Sequence, residues 1–219
     1  MIQQFFLAVI LFFVVGCSST PPPNEWQYKS TVAYNSFEKN FLINNIVVAQ
    51  ADLNRAVKHA KMSANLEQLA SIYLGECALK LATSVEKPEC REYREIAPLV
   101  RSKRLSNYYN FLEQQTFDVA LLPKDYQKIA SLLKQTTKAY KEVLFSIEKP
   151  TSLFISAALI QKRLDEEDMQ KLIEKASLYG YKRVVLFWLD KLQKTTSNQK
   201  LKEESIKKIE ILLSSSRVH

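Results

Sequence analysis

The stretch Leu66-Glu67-Gln68-Leu69-Ala70-Ser71-Ile72-Tyr73-Leu74-Gly75-Glu76-Cys77-Ala78-Leu79-Lys80-Leu81-Ala82 decides the fold. Leu66, Leu69, Ala70, Tyr73, Leu74, Cys77, Ala78 and Leu81 recur at three- and four-residue spacing, which lays them along one face of an α-helix. The period-two alternation of a half-buried strand is not there. Asn65 stands where such a helix needs a side-chain oxygen for its free N–H groups. Val85-Glu86-Lys87-Pro88 breaks the pattern, and Pro88 suits the first position of a following helix.

The same period extends in both directions. Upstream, Phe37, Phe41 and Ile46-Val47-Val48 lead into Leu53, Ala56, Val57 and Ala60, which predicts two helices. Downstream, the pattern predicts a short helix over 89–96 and another over 99–115 with Leu105, Tyr108, Tyr109 and Leu112 inward. Pro123 opens a helix through 147 carrying Tyr126, Ile129, Leu132, Leu133, Tyr140 and Leu144. Thr151 or Ser152 caps a helix through Arg163. Asp165 caps the next, with Glu166, Glu167 and Asp168 complementing its dipole, and Gly180 stops it. Helices over 183–193 and 198–214 complete the set. Gly75 and Gly180 are the only glycines after position 16, so hairpin turns lack their preferred residue. The expectation is an all-α fold of antiparallel helical hairpins, arranged as a solenoid or as an irregular helical bundle.

The start of the chain has a different character. The first sixteen residues carry no charged side chain, and FFLAVILFFVV from Phe5 to Val15 is wholly apolar. That run suits a signal segment and is short of the roughly 20 residues a spanning helix needs. It ends in Val14-Val15-Gly16-Cys17, which resembles the lipobox of bacterial lipoproteins. The resemblance implies cleavage before Cys17 and a lipid on its thiol. The segment before the apolar run, MIQQ, departs from the usual pattern in having no Lys or Arg. Ser18-Ser19-Thr20-Pro21-Pro22-Pro23-Asn24 then reads as a short Pro-rich tether. By the same resemblance, Ser18 after the cysteine implies an outer-membrane protein facing the periplasm. The implied layout is a signal peptide over 1–16, a lipidated tether over 17–24 and a helical domain over 25–219. The alternative is an uncleaved membrane anchor with an incidental cysteine.

In that compartment Cys77 and Cys90 are an even pair in an oxidising setting, which suggests a disulfide. Two free buried thiols are the alternative. No metal site is expected, because neither His59 nor His219 is near the cysteines in sequence. The chain has 31 basic against 23 acidic side chains, a net +8. This suits anionic head groups or an acidic protein face, though ordinary solubility charge accounts for it as well. Nucleic acid is not an expected partner outside the cytoplasm.

Gly180-Tyr181-Lys182-Arg183-Val184-Val185-Leu186-Phe187-Trp188-Leu189-Asp190-Lys191-Leu192 resembles the turn and second helix of a tetratricopeptide repeat. The first helix of that consensus, with its tryptophan and Leu-Gly, has no counterpart, and no 34-residue period runs through the chain. An irregular helical domain without repeat ancestry fits as well.

No catalytic constellation stands out, and no cofactor is implied beyond the lipid on Cys17. G-x-G-x-x-G, the P-loop and G-x-S-x-G do not occur. Glu166-Glu167-Asp168 reads as a helix start before it reads as a glycosidase pair. Glu204-Ser205 is similar to the Glu-Ser step of lytic transglycosylases, but the Gly-Leu-Met-Gln stretch of that family does not follow. The candidate binding cluster is Arg101, Lys103 and Arg104 beside Tyr108, Tyr109 and Phe111, suited to an anion or an acidic peptide. Its plainer reading is a solvated helix start with the aromatics in the core. The expected function is a membrane-anchored, non-enzymatic interaction module, by resemblance an assembly factor or pilotin-like chaperone of the envelope. A structural subunit of an outer-membrane complex and a peptidoglycan-acting enzyme are the alternatives. An exposed groove with aromatic anchors marks the first, a large apolar patch the second, and a deep cleft with a perturbed carboxylate the third.

Overall fold

Asn65 caps the deciding helix as its position suggests: its side-chain oxygen accepts the Gln68 N–H at 3.0 Å. The computed structural model describes residues 24–84, 88–133 and 139–214. The signal segment 1–16, Cys17, the tether up to residue 23 and His219 lie outside the described residues. The chain is all-helical. In order the helices are α1 (Glu25–Leu42), α2 (Ile46–Met62), α3 (Leu66–Leu81), α4 (Arg91–Ile96), α5 (Lys103–Leu112), α6 (Lys124–Leu133), α7 (Tyr140–Phe145), α8 (Pro150–Leu159), α9 (Glu166–Leu178), α10 (Lys182–Thr195) and α11 (Gln199–Ser214). Single 3-10 turns follow α4, precede α6 and follow α8.

Two helices form the centre. In α8 every residue from Thr151 to Leu159 is buried. In α3 the burial goes beyond the expected face: Ile72, Glu76 and Leu79 are buried although they lie off the stripe, while Leu66 at its start is exposed. A helix covered on most sides has no single apolar stripe to read. The α1–α2 hairpin packs on α3, α3 meets α8 directly, and the α9–α10–α11 run joins them through α1 and through Phe154 of α8, whose ring lies 6.1 Å from that of Tyr181. Helices distant in sequence also meet, since α1 touches α10 and the Arg183 guanidinium lies 4.0 Å over the Phe41 ring. In a solenoid each unit touches only its neighbours. These non-neighbour contacts make an irregular bundle of hairpins. Trp188, Phe111 and Phe154 are its largest fully buried side chains. Burial of each such side chain contributes about 1.5–3 kcal/mol.

Helix ends follow local chemistry that composition only partly reveals. Asp165 and Asp168 form a reciprocal capping box on α9. Gly180 ends that helix at φ 67, with the Tyr181 N–H donating back to the Ala176 carbonyl at 2.9 Å. Asn44 and Gln114 take the same left-handed conformation after α1 and α5, at φ 70 and φ 55, without being glycine. The Asn45 and Gln115 N–H groups then reach back to the Asn40 and Asn110 carbonyls, both at 2.8 Å. Several expectations need correction. Pro88 does not open a helix, since α4 starts at Arg91 after Cys90. The helix expected through Arg163 ends at Leu159, and Gln161–Arg163 is a 3-10 turn. Neither Thr151 nor Ser152 caps α8. Pro150 occupies its first turn after Lys149, and both hydroxyl residues lie inside the helix. The 99–115 helix is shorter, because Ala97–Leu99 is a 3-10 turn. The 123–147 helix is described as α6 and α7, with 134–138 outside the described residues.

Cys77 and Cys90 are joined by a disulfide, with Cα atoms 5.2 Å apart across a separation of 13 residues. It ties the approach to α4 onto α3. A loop of this size contributes about 3 kcal/mol through the restricted unfolded chain.

Candidate functional site

A cleft of about 670 Å³ opens between α1, α3, α5, α6 and α8. Its floor is made by α3, where Leu74, Gly75, Ala78 and Leu79 present a surface of small and apolar side chains. Gly75 is there because the opposite wall comes too close for a side chain. A Cβ on Gly75 would stand 2.0 Å from the Tyr34 hydroxyl of α1. The walls are aromatic. Tyr108 of α5 and Tyr126 of α6 have ring centroids 5.4 Å apart, and the Tyr108 hydroxyl donates to the Tyr126 hydroxyl at 3.2 Å. Phe111 backs both rings from the core. Burial raises the pKa of all three tyrosines, with Glu38 adding to the rise at each. For Tyr126, its side-chain interactions with Ser152 and Tyr108 offset part of it. The three phenols are therefore neutral hydrogen-bonding groups over the physiological range. The Tyr34 hydroxyl makes no hydrogen bond among the described residues.

Charge is arranged at the rim. Glu38 accepts from the Thr151 hydroxyl at 2.6 Å, and Asp125 accepts from the Ser152 hydroxyl at 3.2 Å. Arg104, Lys124 and Lys149 also line the cleft. None of the three makes an ion pair among the described residues. The starts of α5, α6 and α8 supply these cations, so their N-terminal N–H groups add positive potential on the same side. Two satisfied carboxylates and three uncommitted cations leave the opening positive.

The sequence cluster is divided by this geometry. Arg104 and Tyr108 belong to the cleft, while Arg101 and Lys103 are exposed and do not line it. Phe111 is fully buried, as the plainer reading has it, and Tyr109 is half-buried against Tyr93 at 5.0 Å. Tyr34, Glu38, Lys124, Lys149 and Tyr126 were not singled out as site residues. They come from three separate parts of the chain, and only Gly75, an unexplained glycine inside a helix, signalled a close approach. His59 is half-buried on α2 and stacks on Trp26 at 5.5 Å, far along α1 from the cleft residues. Glu204 is exposed on α11, and the Ser205 hydroxyl donates to the Leu201 carbonyl at 2.8 Å. Glu166, Glu167 and Asp168 form the first turn of α9. Among the described residues no three His, Cys, Asp or Glu side chains gather as a metal site.

Comparison with protein-family models, with curated proteins and with solved structures finds no match for this chain.

Proposed function

We propose that this chain is a lipid-anchored protein of the bacterial envelope whose helical domain holds a segment of another envelope protein, in an assembly or scaffold role. The observation that carries the interaction half is the cleft: Tyr34 and Tyr108 as anchors, backed by the buried Tyr126, over an apolar floor, with Arg104, Lys124 and Lys149 uncommitted at the rim. Large aromatic surfaces with a polar tip are what recognition sites use for a segment that carries both apolar and polar groups. The positive rim favours a segment with acidic residues. The anchored half rests on the apolar run and Val14-Val15-Gly16-Cys17. No described helix is long and apolar enough to cross a membrane.

The test has two arms. The first measures the intact mass of the full chain purified from a bacterial host, beside Cys17→Ser. A product that begins at Cys17 with added acyl mass supports the anchor, and an unmodified chain that keeps residues 1–16 refutes it. The second places a photo-crosslinking residue at Leu121, on the exposed lip of the cleft, and at Glu203, on the far side of α11. One discrete protein adduct from position 121 and none from 203 supports the cleft. Equal adduct patterns refute it.

A structural-subunit role has one observation in its favour. Val47 and Leu178 are 83% and 84% exposed, more than any other large apolar side chain described. Val47 stands in a run with Ile46 and Val48, themselves 45% and 42% exposed, the kind of apolar patch that a partner covers. Sedimentation of the purified domain separates the readings: self-association over micromolar concentrations supports the subunit role, and a monomer supports the client-binding one.

A further inference from the structure

The start of α1, the end of α2 and the start of α3 meet at one end of the bundle. Trp26 stacks on His59 at 5.5 Å, the Ser30 hydroxyl donates to the Ala56 carbonyl at 2.8 Å, and the Gln68 amide donates to the Gln27 carbonyl at 2.9 Å. This end exposes apolar side chains beside cations. Tyr28, Met62 and Leu66 are 58%, 48% and 43% exposed. Lys58, Lys61 and Met62 border a shallow groove on α2. Lys29 lies 4.9 Å over the Trp26 ring and pairs with Glu25. The acidic groups at this end are Glu25, already paired, and Glu67 in the first turn of α3. Lys58 and Lys61 have no ion-pair partner among the described residues.

We propose that this end of the bundle, with Trp26, Tyr28, Lys58, Lys61, Met62 and Leu66, rests on the surface of the membrane and meets anionic lipid head groups. The inference rests on the anchored reading above. Its geometry comes from the length of chain before α1. From Cys17 to Asn24 the backbone spans at most about 25 Å even when fully extended. A folded domain of this size is roughly 40 Å across. A tether shorter than the domain cannot turn the far end toward the bilayer, so the face around Asn24 is the one that meets it. The chemistry of that face agrees. Trp and Tyr rings favour the boundary between head groups and acyl chains, and lysines bury their stems while the ammonium reaches the phosphates. Each lysine near an anionic surface strengthens the association by roughly five-fold.

The chain provides its own reporter. It has two tryptophans, Trp26 and Trp188, and Trp188 is fully buried. The experiment reconstitutes the full mature protein, purified from host membranes, into vesicles of phosphatidylethanolamine and phosphatidylglycerol with brominated acyl chains. Intact mass establishes acylation of the same sample. The expected result is loss of the Trp26 emission with the Trp188 emission retained, and recovery of Trp26 in Lys58→Glu/Lys61→Glu. Both lysines are exposed, and the unquenched Trp188 reports that the variant is folded. An acylated protein whose Trp26 keeps its emission overturns this inference and leaves the anchor standing. Quenching that ignores the lysine reversals overturns the head-group contact. A chain without acyl mass overturns the anchor and this inference together.

Discussion

Gly75→Ala tests the cleft wall through a change of sign. Glycine inside a helix costs about 1 kcal/mol relative to alanine, so at an open site the substitution would stabilise by about that amount. Here a Cβ would meet the Tyr34 hydroxyl at 2.0 Å and its Cζ at 2.7 Å, both too close to be absorbed by small adjustments. The ring must swing, and its other side leans on Phe37 at a centroid distance of 5.7 Å. Overpacking of this kind costs about 1–3 kcal/mol. The net expectation is destabilisation by about 1 kcal/mol, a fall in melting temperature of about 2–4 °C for a domain of this size. Tyr34→Phe removes only the nearer atom and leaves the Cζ clash. Tyr34→Leu removes the ring. In the Tyr34→Leu background, Gly75→Ala should therefore raise the melting temperature by about 2–4 °C. Thermal unfolding followed by far-ultraviolet circular dichroism on the four proteins of this cycle measures it. Equal stabilisation by Gly75→Ala in both backgrounds would show that Tyr34 does not lie against Gly75, and the cleft as described would be wrong.

Three further outcomes follow from local chemistry. Ser156 is fully buried in α8 and its hydroxyl has no hydrogen-bond partner among the described residues, so Ser156→Ala should raise stability by about 1 kcal/mol in urea denaturation. Lys141 bonds to Asp165 and holds its carboxyl below the usual range, so this contribution is present at neutral pH and lost as pH falls below about 4. Asparagine keeps the cap, and solvent screens the pair, so Asp165→Asn should cost about 0.5 kcal/mol at pH 7 and progressively less as the pH falls through the lowered pKa of Asp165, by the same assay. Replacing both Cys77 and Cys90 by serine should lower stability by about 3 kcal/mol, and a reducing agent should do the same to the native protein but not to the variant.

Much of the helix inventory was legible because single residues carry it. Asn65, the Asp165–Asp168 pair and Gly180 mark ends by chemistry that acts within four residues, and each does what its type and position imply. The stops at Asn44, Ala64 and Gln114 were harder to read, because a residue with a Cβ in the left-handed region is held there by its context. Thr151 and Ser152 misled for a related reason. Hydroxyls next to a proline resemble a cap, but their oxygens were needed elsewhere, on Glu38 and Asp125 across the cleft. The cleft itself was mostly illegible. Arg104 and Tyr108 stood out as a local cluster, whereas Tyr34, Tyr126 and Lys149 are brought to them only by the packing of α1, α6 and α8 on α3. Local pattern reports what one helix needs. A site shared by five helices has no local pattern to report.

The two proposed surfaces are linked by α1. Trp26 lies at one end of that helix, and Tyr34 and Glu38 line the cleft two to three turns further along it. At 1.5 Å per residue the cleft sits about 12–18 Å along the helix from the end that the tether holds. On the anchored reading, the short tether and the basic end together fix the height of the cleft above the head groups, beyond the Debye length of about 8 Å at physiological ionic strength. The lysines of the end can then bind lipid without drawing Arg104, Lys124 and Lys149 onto the same phosphates, which leaves the cleft cations for a protein segment. A tether lengthened by twenty residues after Pro23 removes that constraint. The crosslink from position 121 should then weaken or spread to several products while acylation is unchanged. A discrete, undiminished adduct would mean that the client finds the cleft without help from its fixed height.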